Sequence, residues 1–162
     1  MDVTIRNARA GDEDGCYFVE SNCYTSEGAS KERIAKRIRV FPLGFLMAEA
    51  GGQIVGITNG SCTNLEDINV EELKDMVGFD KDGKNVMIFS VAVLPDFQGK
   101  GIARLLLEKF IGVFRELGKE KILLRCKKKY VGLYEKFGFR LFKISRSRHG
   151  SFDWFEMALA LR

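Results

Sequence analysis

Val93-Leu94-Pro95-Asp96-Phe97-Gln98-Gly99-Lys100-Gly101-Ile102-Ala103 is the most informative stretch of this chain. It follows Val86 to Leu94 (VMIFSVAVL), a near-continuous apolar run of the length and character of a strand buried on both faces. Pro95 ends that run. Gly101 or Ile102 opens a long amphipathic helix that reaches about Leu117, where Gly118 stops it. A strand that passes through a short glycine-bearing loop into a helix builds an anion site. Glycines let successive backbone N–H groups converge, and the helix N-terminus adds positive dipole. Lys100 adds a full charge, and Gly99 and Gly101 leave the amides unshielded. Two familiar phosphate loops do not fit. The P-loop needs Ser or Thr after its lysine, and here Gly101 follows Lys100. The dinucleotide fingerprint needs a third glycine, and here Arg104 holds that place.

Outward from this corner, strands and helices interleave. Thr4 to Arg9 alternates weakly and predicts a first strand. Asp12-Glu13-Asp14 predicts the start of a helix to about Cys23, since acids favour the positive end of the dipole. Ser30 caps a second helix to Arg39, broken by Phe41-Pro42-Leu43-Gly44. Phe45 to Ala50 and Gln53 to Cys62 flank Gly51-Gly52 and read as a hairpin. A polar, acidic excursion, Thr63 to Asn85, holds a short helix near Val70 to Val77 capped by Asn69, and is a candidate flap over a substrate site. After the long helix come a strand at Lys121 to Cys126, a helix at Lys128 to Phe137 closed by Gly138, and two strands, Phe139 to Ser145 and Trp154 to Leu161. No repeat or linker interrupts the series, so residues 1–162 read as one mixed α/β domain.

Composition agrees. A chain of 162 residues, 46% hydrophobic and 30% charged, fits one packed core and excludes a disordered tail, a collagen-like fibre or a coiled coil. No apolar run approaches the roughly 20 residues of a membrane span, and Met1-Asp2-Val3-Thr4 does not open a signal peptide. Cys16, Cys23, Cys62 and Cys126 lie far apart, and one histidine cannot complete a zinc site with them. They read as reduced thiols of a cytoplasmic protein, with no metal. Charge is lopsided. Residues 1–85 hold 10 Lys+Arg against 15 Asp+Glu, and residues 86–162 hold 16 against 7. The basic half suits an anionic ligand and the acidic half a cationic one. Lys127-Lys128-Lys129 is the only basic run and no aromatics interleave with it, which argues against nucleic acid.

Gln98-Gly99-Lys100-Gly101-Ile102-Ala103 resembles the Q/R-x-x-G-x-G/A signature of the GCN5-related N-acetyltransferases, and Val91-Ala92-Val93-Leu94-Pro95 resembles the end of their fourth strand. Leu133-Tyr134-Glu135-Lys136-Phe137-Gly138-Phe139 is similar to their LYEKxGF element. Both motifs stand in the family's order, and so do the elements across nearly the whole chain. The resemblance implies the GNAT fold, a mixed, mostly antiparallel sheet of six or seven strands with four or five helices, splayed between the fourth and fifth strands. It also implies acetyl-CoA as co-substrate and an amine as acceptor, with a homodimer as a common family arrangement. The pyrophosphate would rest on the amides of Gln98, Gly99, Lys100, Gly101, Ile102 and Ala103, with Ala92, Val93, Arg104 and Tyr134 as further cofactor contacts. The Val93 N–H would hold the acetyl carbonyl, where one preorganised donor is worth about 3–4 kcal/mol. Tyr134 would protonate the leaving thiolate, a phenol of pKa about 10 serving a thiolate of about 8.5.

Ser147-Arg148-His149-Gly150-Ser151-Phe152-Asp153-Trp154-Phe155-Glu156-Met157 is similar to a segment of arylalkylamine N-acetyltransferases, although Met87 and Phe89 stand where those enzymes place two histidines. The general base is therefore open between a water on Ser90, Glu49, an acid of the excursion, and His149. The acids Glu66, Asp67, Glu71, Glu72 and Asp75 favour a cationic amine, with Phe41, Phe45, Phe152 and Trp154 as candidate apolar lining. The acceptor is expected to be a small primary amine, arylalkylamine or polyamine-like. The alternatives are a protein or peptide substrate, or a catalytically silent CoA-binding module.

Overall fold

The computed structural model describes residues 2–67, 71–146 and 153–162. Its elements are β1 (Val3–Asn7), α1 (Glu13–Cys23), α2 (Lys31–Val40), β2 (Phe45–Ala50), β3 (Gln53–Thr63), β4 (Asn85–Val93), α3 (Ile102–Glu116), β5 (Lys121–Cys126), α4 (Val131–Glu135), β6 (Arg140–Arg146) and β7 (Asp153–Ala160). The seven strands form one sheet in the order β1-β2-β3-β4-β5-β7-β6. Every pairing is antiparallel except β4 with β5. This is the splayed mixed sheet that the sequence predicts, with four α-helices.

Local chemistry sets most boundaries. Ser30 caps α2, its hydroxyl accepting from the Arg33 N–H at 3.2 Å. Asp12 caps α1 less directly, since its carboxylate is drawn back to Arg6 and to the Arg9 N–H. α3 ends where the Lys119 N–H reaches the Phe114 carbonyl around Gly118, which satisfies an orphan carbonyl of the last turn. Along α3, Ile102, Leu106, Phe110 and Phe114 recur at helical spacing and are buried to 1% exposure or less. Ile102 and Leu106 press on β3 at Gly56, where an added Cβ would come within 3.1 Å of Leu106.

Two predicted helices come out shorter. The excursion carries a 3-10 turn at Glu71–Asp75 rather than a helix to Val77; residues 68–70, with the expected cap Asn69, lie outside the described residues. Leu73 is the buried residue of the turn, packed with Met87 and Leu123, and the helical run ends at Met76, which is buried and takes a φ of +65°. Lys128 to Phe137 divides into a 3-10 turn, Lys128–Tyr130, and the five-residue α4. Tight i→i+3 bonds close it, from Phe137 N–H to Tyr134 and from Gly138 N–H to Glu135.

The feature that positions the site is an irregularity in β4. Asn59 pairs with Ser90 but Gly60 pairs with Ile88, so Phe89 is an extra residue that bends the strand. Gly60 makes room for the bend, because a Cβ there would stand 2.1 Å from the Met87 carbonyl oxygen. β4 and β5 then pair only from Asn85–Lys121 to Met87–Leu123 before they part.

Gly60→Ala is therefore expected to lower stability by about 1–3 kcal/mol, the usual cost of forcing atoms into a packed site. Gly112→Ala, in the middle of α3 where an added Cβ meets nothing within 4 Å, is expected to raise it by about 0.5–1 kcal/mol through helix propensity. Urea unfolding midpoints of both variants beside the parent chain check the pair.

Candidate active site

Where β4 and β5 part, a cavity of about 1280 Å³ opens. One end is walled by Ala92, Val93, the Gln98–Arg104 loop and Tyr134, and the other by Arg37, Leu73, Lys74 and Arg125. Glu20, Tyr24 and Ser90 also line it.

The loop is built as its sequence predicts. Gly99 and Gly101 have φ of +77° and +82°, a left-handed conformation that favours glycine, and an added Cβ at either would meet no protein atom within 4 Å. The Gln98 side chain pins the loop to the strand by donating to the Val93 carbonyl at 2.9 Å. The Leu105 N–H is the first of α3 to find a helical acceptor, the Gly101 carbonyl. Among the described residues, the backbone N–H groups of Gly99, Lys100, Gly101, Ile102, Ala103 and Arg104 have no protein acceptor. The Gln98 N–H departs from expectation, since it is engaged by the Pro95 carbonyl at 3.3 Å. Lys100 departs too. It does not line the cavity, and its ammonium sits 5.7 Å from the Phe97 ring centroid. Arg104 lines the cavity while pairing with Glu108 one turn on, at 2.8 Å.

Backbone parity decides where Val93 points. The Leu94 N–H bonds the Val55 carbonyl on β3, so Val93, one residue back, turns its N–H and carbonyl the other way, into the cleft. Val91 shares that parity, and both its groups meet the Tyr24 hydroxyl. The hydroxyl donates to the Val91 carbonyl at 2.9 Å and accepts from the Val91 N–H at 3.3 Å. The Val93 carbonyl accepts from the Cys23 thiol as well as from Gln98. The Val93 N–H has no such partner among the described residues.

Tyr134 is 8% exposed, stands edge-on to Phe139 with centroids 5.7 Å apart, and its hydroxyl has no hydrogen bond among the described residues. Burial raises its pKa well above that of an ordinary phenol, so it keeps its proton at neutral pH. Its hydroxyl and that of Tyr24 lie close enough for their charges to interact.

The sequence reading misses Glu20. It projects from α1 into the cavity, 3% exposed. Its Oε2 accepts from the Ala29 N–H at 2.8 Å, while its Oε1 has no partner. Burial pushes its pKa up, opposed by the Ala29 N–H and the Ser90 hydroxyl. The available signal was a glutamate four residues after Cys16 and one after Val19, on the buried side of the helix. Beside it, Arg37 donates to Asn59 Oδ1 at 3.0 Å and to the Lys74 carbonyl at 3.2 Å, and lies 4.4 Å from the Phe89 ring centroid. The Asn59 amide donates onward to the Ser90 hydroxyl at 2.7 Å.

Other candidates stand elsewhere. Glu49 is bound to Arg6 at the far side of the sheet and does not line the cavity. Phe41 and Phe45 are core, Trp154 does line the cavity, and His149 and Phe152 lie outside the described residues. Three acids of the excursion are held in ion pairs. Glu66 pairs with Lys121 and Lys84, Glu71 with Lys74 and Arg125, and Asp75 grips Arg33 with both oxygens. The four cysteines are free thiols, and no group of metal-ligating side chains forms among the described residues. None of the described helices is long and apolar enough to cross a membrane.

Residues 11–139 match the acetyltransferase (GNAT) family model. An uncharacterised N-acetyltransferase of Chlorobaculum tepidum is 27% identical over 139 residues, 86% of this chain and 76% of that protein. The loading GNATL domain of CurA from Lyngbya majuscula superposes with a TM-score of 0.88 over 99% of this chain and 98% of that one, at 15% identity. The GphF GNAT-like decarboxylase in complex with isobutyryl-CoA superposes at 0.81 over 98% and 100%, at 19% identity. The two structures establish the shared fold, and the match over residues 11–139 shows that the chain belongs to the acetyltransferase (GNAT) family.

Proposed function

We propose that the chain transfers an acetyl group from acetyl-CoA to the primary amine of a small molecule by direct attack. The observation that carries this reading is that the unpartnered N–H groups of Gly99, Gly101, Ile102, Ala103 and Arg104, the inward Val93 N–H and the protonated Tyr134 all belong to residues lining one cleft. The N–H groups at the start of α3 and the open faces of Gly99 and Gly101 suit a pyrophosphate. Acetyl-CoA, when bound, supplies the acetyl group already activated as a thioester.

The protein's part is positional and electrostatic. The Val93 N–H donates to the acetyl carbonyl oxygen as negative charge grows there. Tyr134 gives its proton to the departing thiolate sulfur, which keeps the thiol from returning. Glu20 Oε1 takes the proton that the ammonium of the acceptor must lose, because a protonated amine has no lone pair to attack with. Its raised pKa brings it closer to the working pH, which makes it a better base than a solvated carboxylate. This assignment uses a group fixed in the cleft in place of Glu49, which is committed to Arg6.

Thiol release from acetyl-CoA, followed across arylalkylamines, polyamines and a lysine peptide, tests the reading. One amine class is expected to turn over, and Tyr134→Phe to lower kcat by about 10²-fold with acetyl-CoA binding unchanged. Acetyl-CoA binding with no turnover on any amine would favour the silent CoA-binding module.

The pH profile tests Glu20. With Glu20 as base, kcat/KM is flat between the raised Glu20 pKa and the pKa of the amine, and falls below the former as the carboxyl protonates. Glu20→Gln is expected to lose about 10²-fold or more at pH 7. Its kcat/KM should then climb with unit slope toward the pKa of the amine, since only pre-deprotonated amine reacts. A profile of unchanged shape would remove the role.

A further inference from the structure

The acceptor end of the cavity has a charge pattern that a simple amine does not complement. Arg37, Lys74 and Arg125 line it; of the lining carboxylates besides Glu20, Glu71 is already shared by Lys74 at 3.3 Å and Arg125 at 3.4 Å, and Glu27 pairs with Lys127 at 3.3 Å. Arg37 is 3% exposed, yet the hydrogen bonds of its guanidinium go to two neutral oxygens, Asn59 Oδ1 and the Lys74 carbonyl. A buried cation bonded to no carboxylate is costly, and an anionic partner relieves it. Burial and the neighbouring charge of Arg125 both lower the pKa of Lys74, so it too stands in a cationic surrounding. Beside Arg37, Glu20 leaves one carboxylate oxygen unpartnered and 97% of its surface out of solvent. Opposite charges within reach of one ligand complement a molecule that carries both.

We infer that the acceptor is an amino acid rather than a plain amine, its own carboxylate held by Arg37 and Lys74 while its amine faces Glu20. This rests on the acetyltransferase reading and names the substrate class for it. A polyamine or arylalkylamine would meet Glu20 but offer no carboxylate to the Arg37 guanidinium, and Lys74 would keep only the Glu71 that it shares with Arg125. Free amino acids place the two groups two bonds apart through one carbon, which suits adjacent partners. The bidentate geometry of a guanidinium suits a carboxylate in particular.

Matched pairs that differ by the carboxylate test this: phenylalanine against phenethylamine, and ornithine against 1,4-diaminobutane. Thiol release from acetyl-CoA is followed, with rates referred to the unprotonated amine. The amino acid of at least one pair is expected to be favoured at least 10-fold in kcat/KM, about 1.4 kcal/mol. Lys74→Met and Arg37→Gln are expected to shrink that ratio toward one, chiefly by raising KM for the amino acid. Lys74 is only half-buried where Arg37 is fully buried, so its variant serves if Arg37→Gln unfolds by circular dichroism. Equal or greater activity on the plain amines, or a ratio untouched in the folded variants, overturns the inference. A carboxylate could also arrive on the acyl group, so malonyl-CoA is run without amine. Variants that impair only its consumption likewise overturn the inference. If no amine turns over, the acetyltransferase reading fails by itself. Calorimetric titration of ornithine and 1,4-diaminobutane into CoA-saturated protein then decides separately, tighter ornithine binding supporting the carboxylate pocket and none overturning it.

Discussion

The parting of β4 from β5 is the constraint on which the rest of this structure depends. Two adjacent strands that pair for three residues and then separate leave a row of backbone groups without a ladder. Buried backbone polar groups need partners. Here the cleft supplies some of them: the Tyr24 hydroxyl serves both groups of Val91, and Cys23 and Gln98 serve the Val93 carbonyl. The Val93 N–H is left facing the cavity. The bend at Phe89, which Gly60 accommodates by having no Cβ, starts the divergence, and the glycine loop at the end of β4 completes it. A defect in sheet pairing thus becomes a set of donors aimed at a ligand.

The cleft concentrates ionisable groups that an ordinary core excludes. Glu20, Arg37 and Tyr134 are each more than nine-tenths buried, and burial shifts each toward its neutral form. For Tyr134 that keeps a proton available. For Glu20 it raises basicity. Arg37 is lowered only to about 10 and so stays charged at neutral pH. The network Arg37–Asn59–Ser90 ties Arg37 of α2 to β3 and β4, and the Ala29 N–H holds Glu20. Asp75, Glu66 and Glu71 of the excursion pair with basic residues of α2 and β5.

Much of this was legible in the residues. The apolar run into β4, the loop Gln98–Ala103, the amphipathic α3 and the Tyr134 motif each have a local cause: hydrophobic period, a positive φ, a helix start. Their places in the structure follow. The two shortened helices were not legible, because the extent of a short helix depends on tertiary packing, and the run after Glu71–Asp75 ends where the buried Met76 takes a positive φ.

By itself, the sequence determined the element order, the glycine-bearing loop after β4 and the family, since these rest on residues close together in the chain. Only the tertiary structure decided which charges share the cleft. Glu20, Asn59, Ser90 and Arg125 come from α1, β3, β4 and β5, and no spacing along the chain brings them together. Folding also sent Glu49 to Arg6 and turned Lys100 out over Phe97. Long-range charge pairing depends on which strands are neighbours, and that is a property of the sheet rather than of any segment within it.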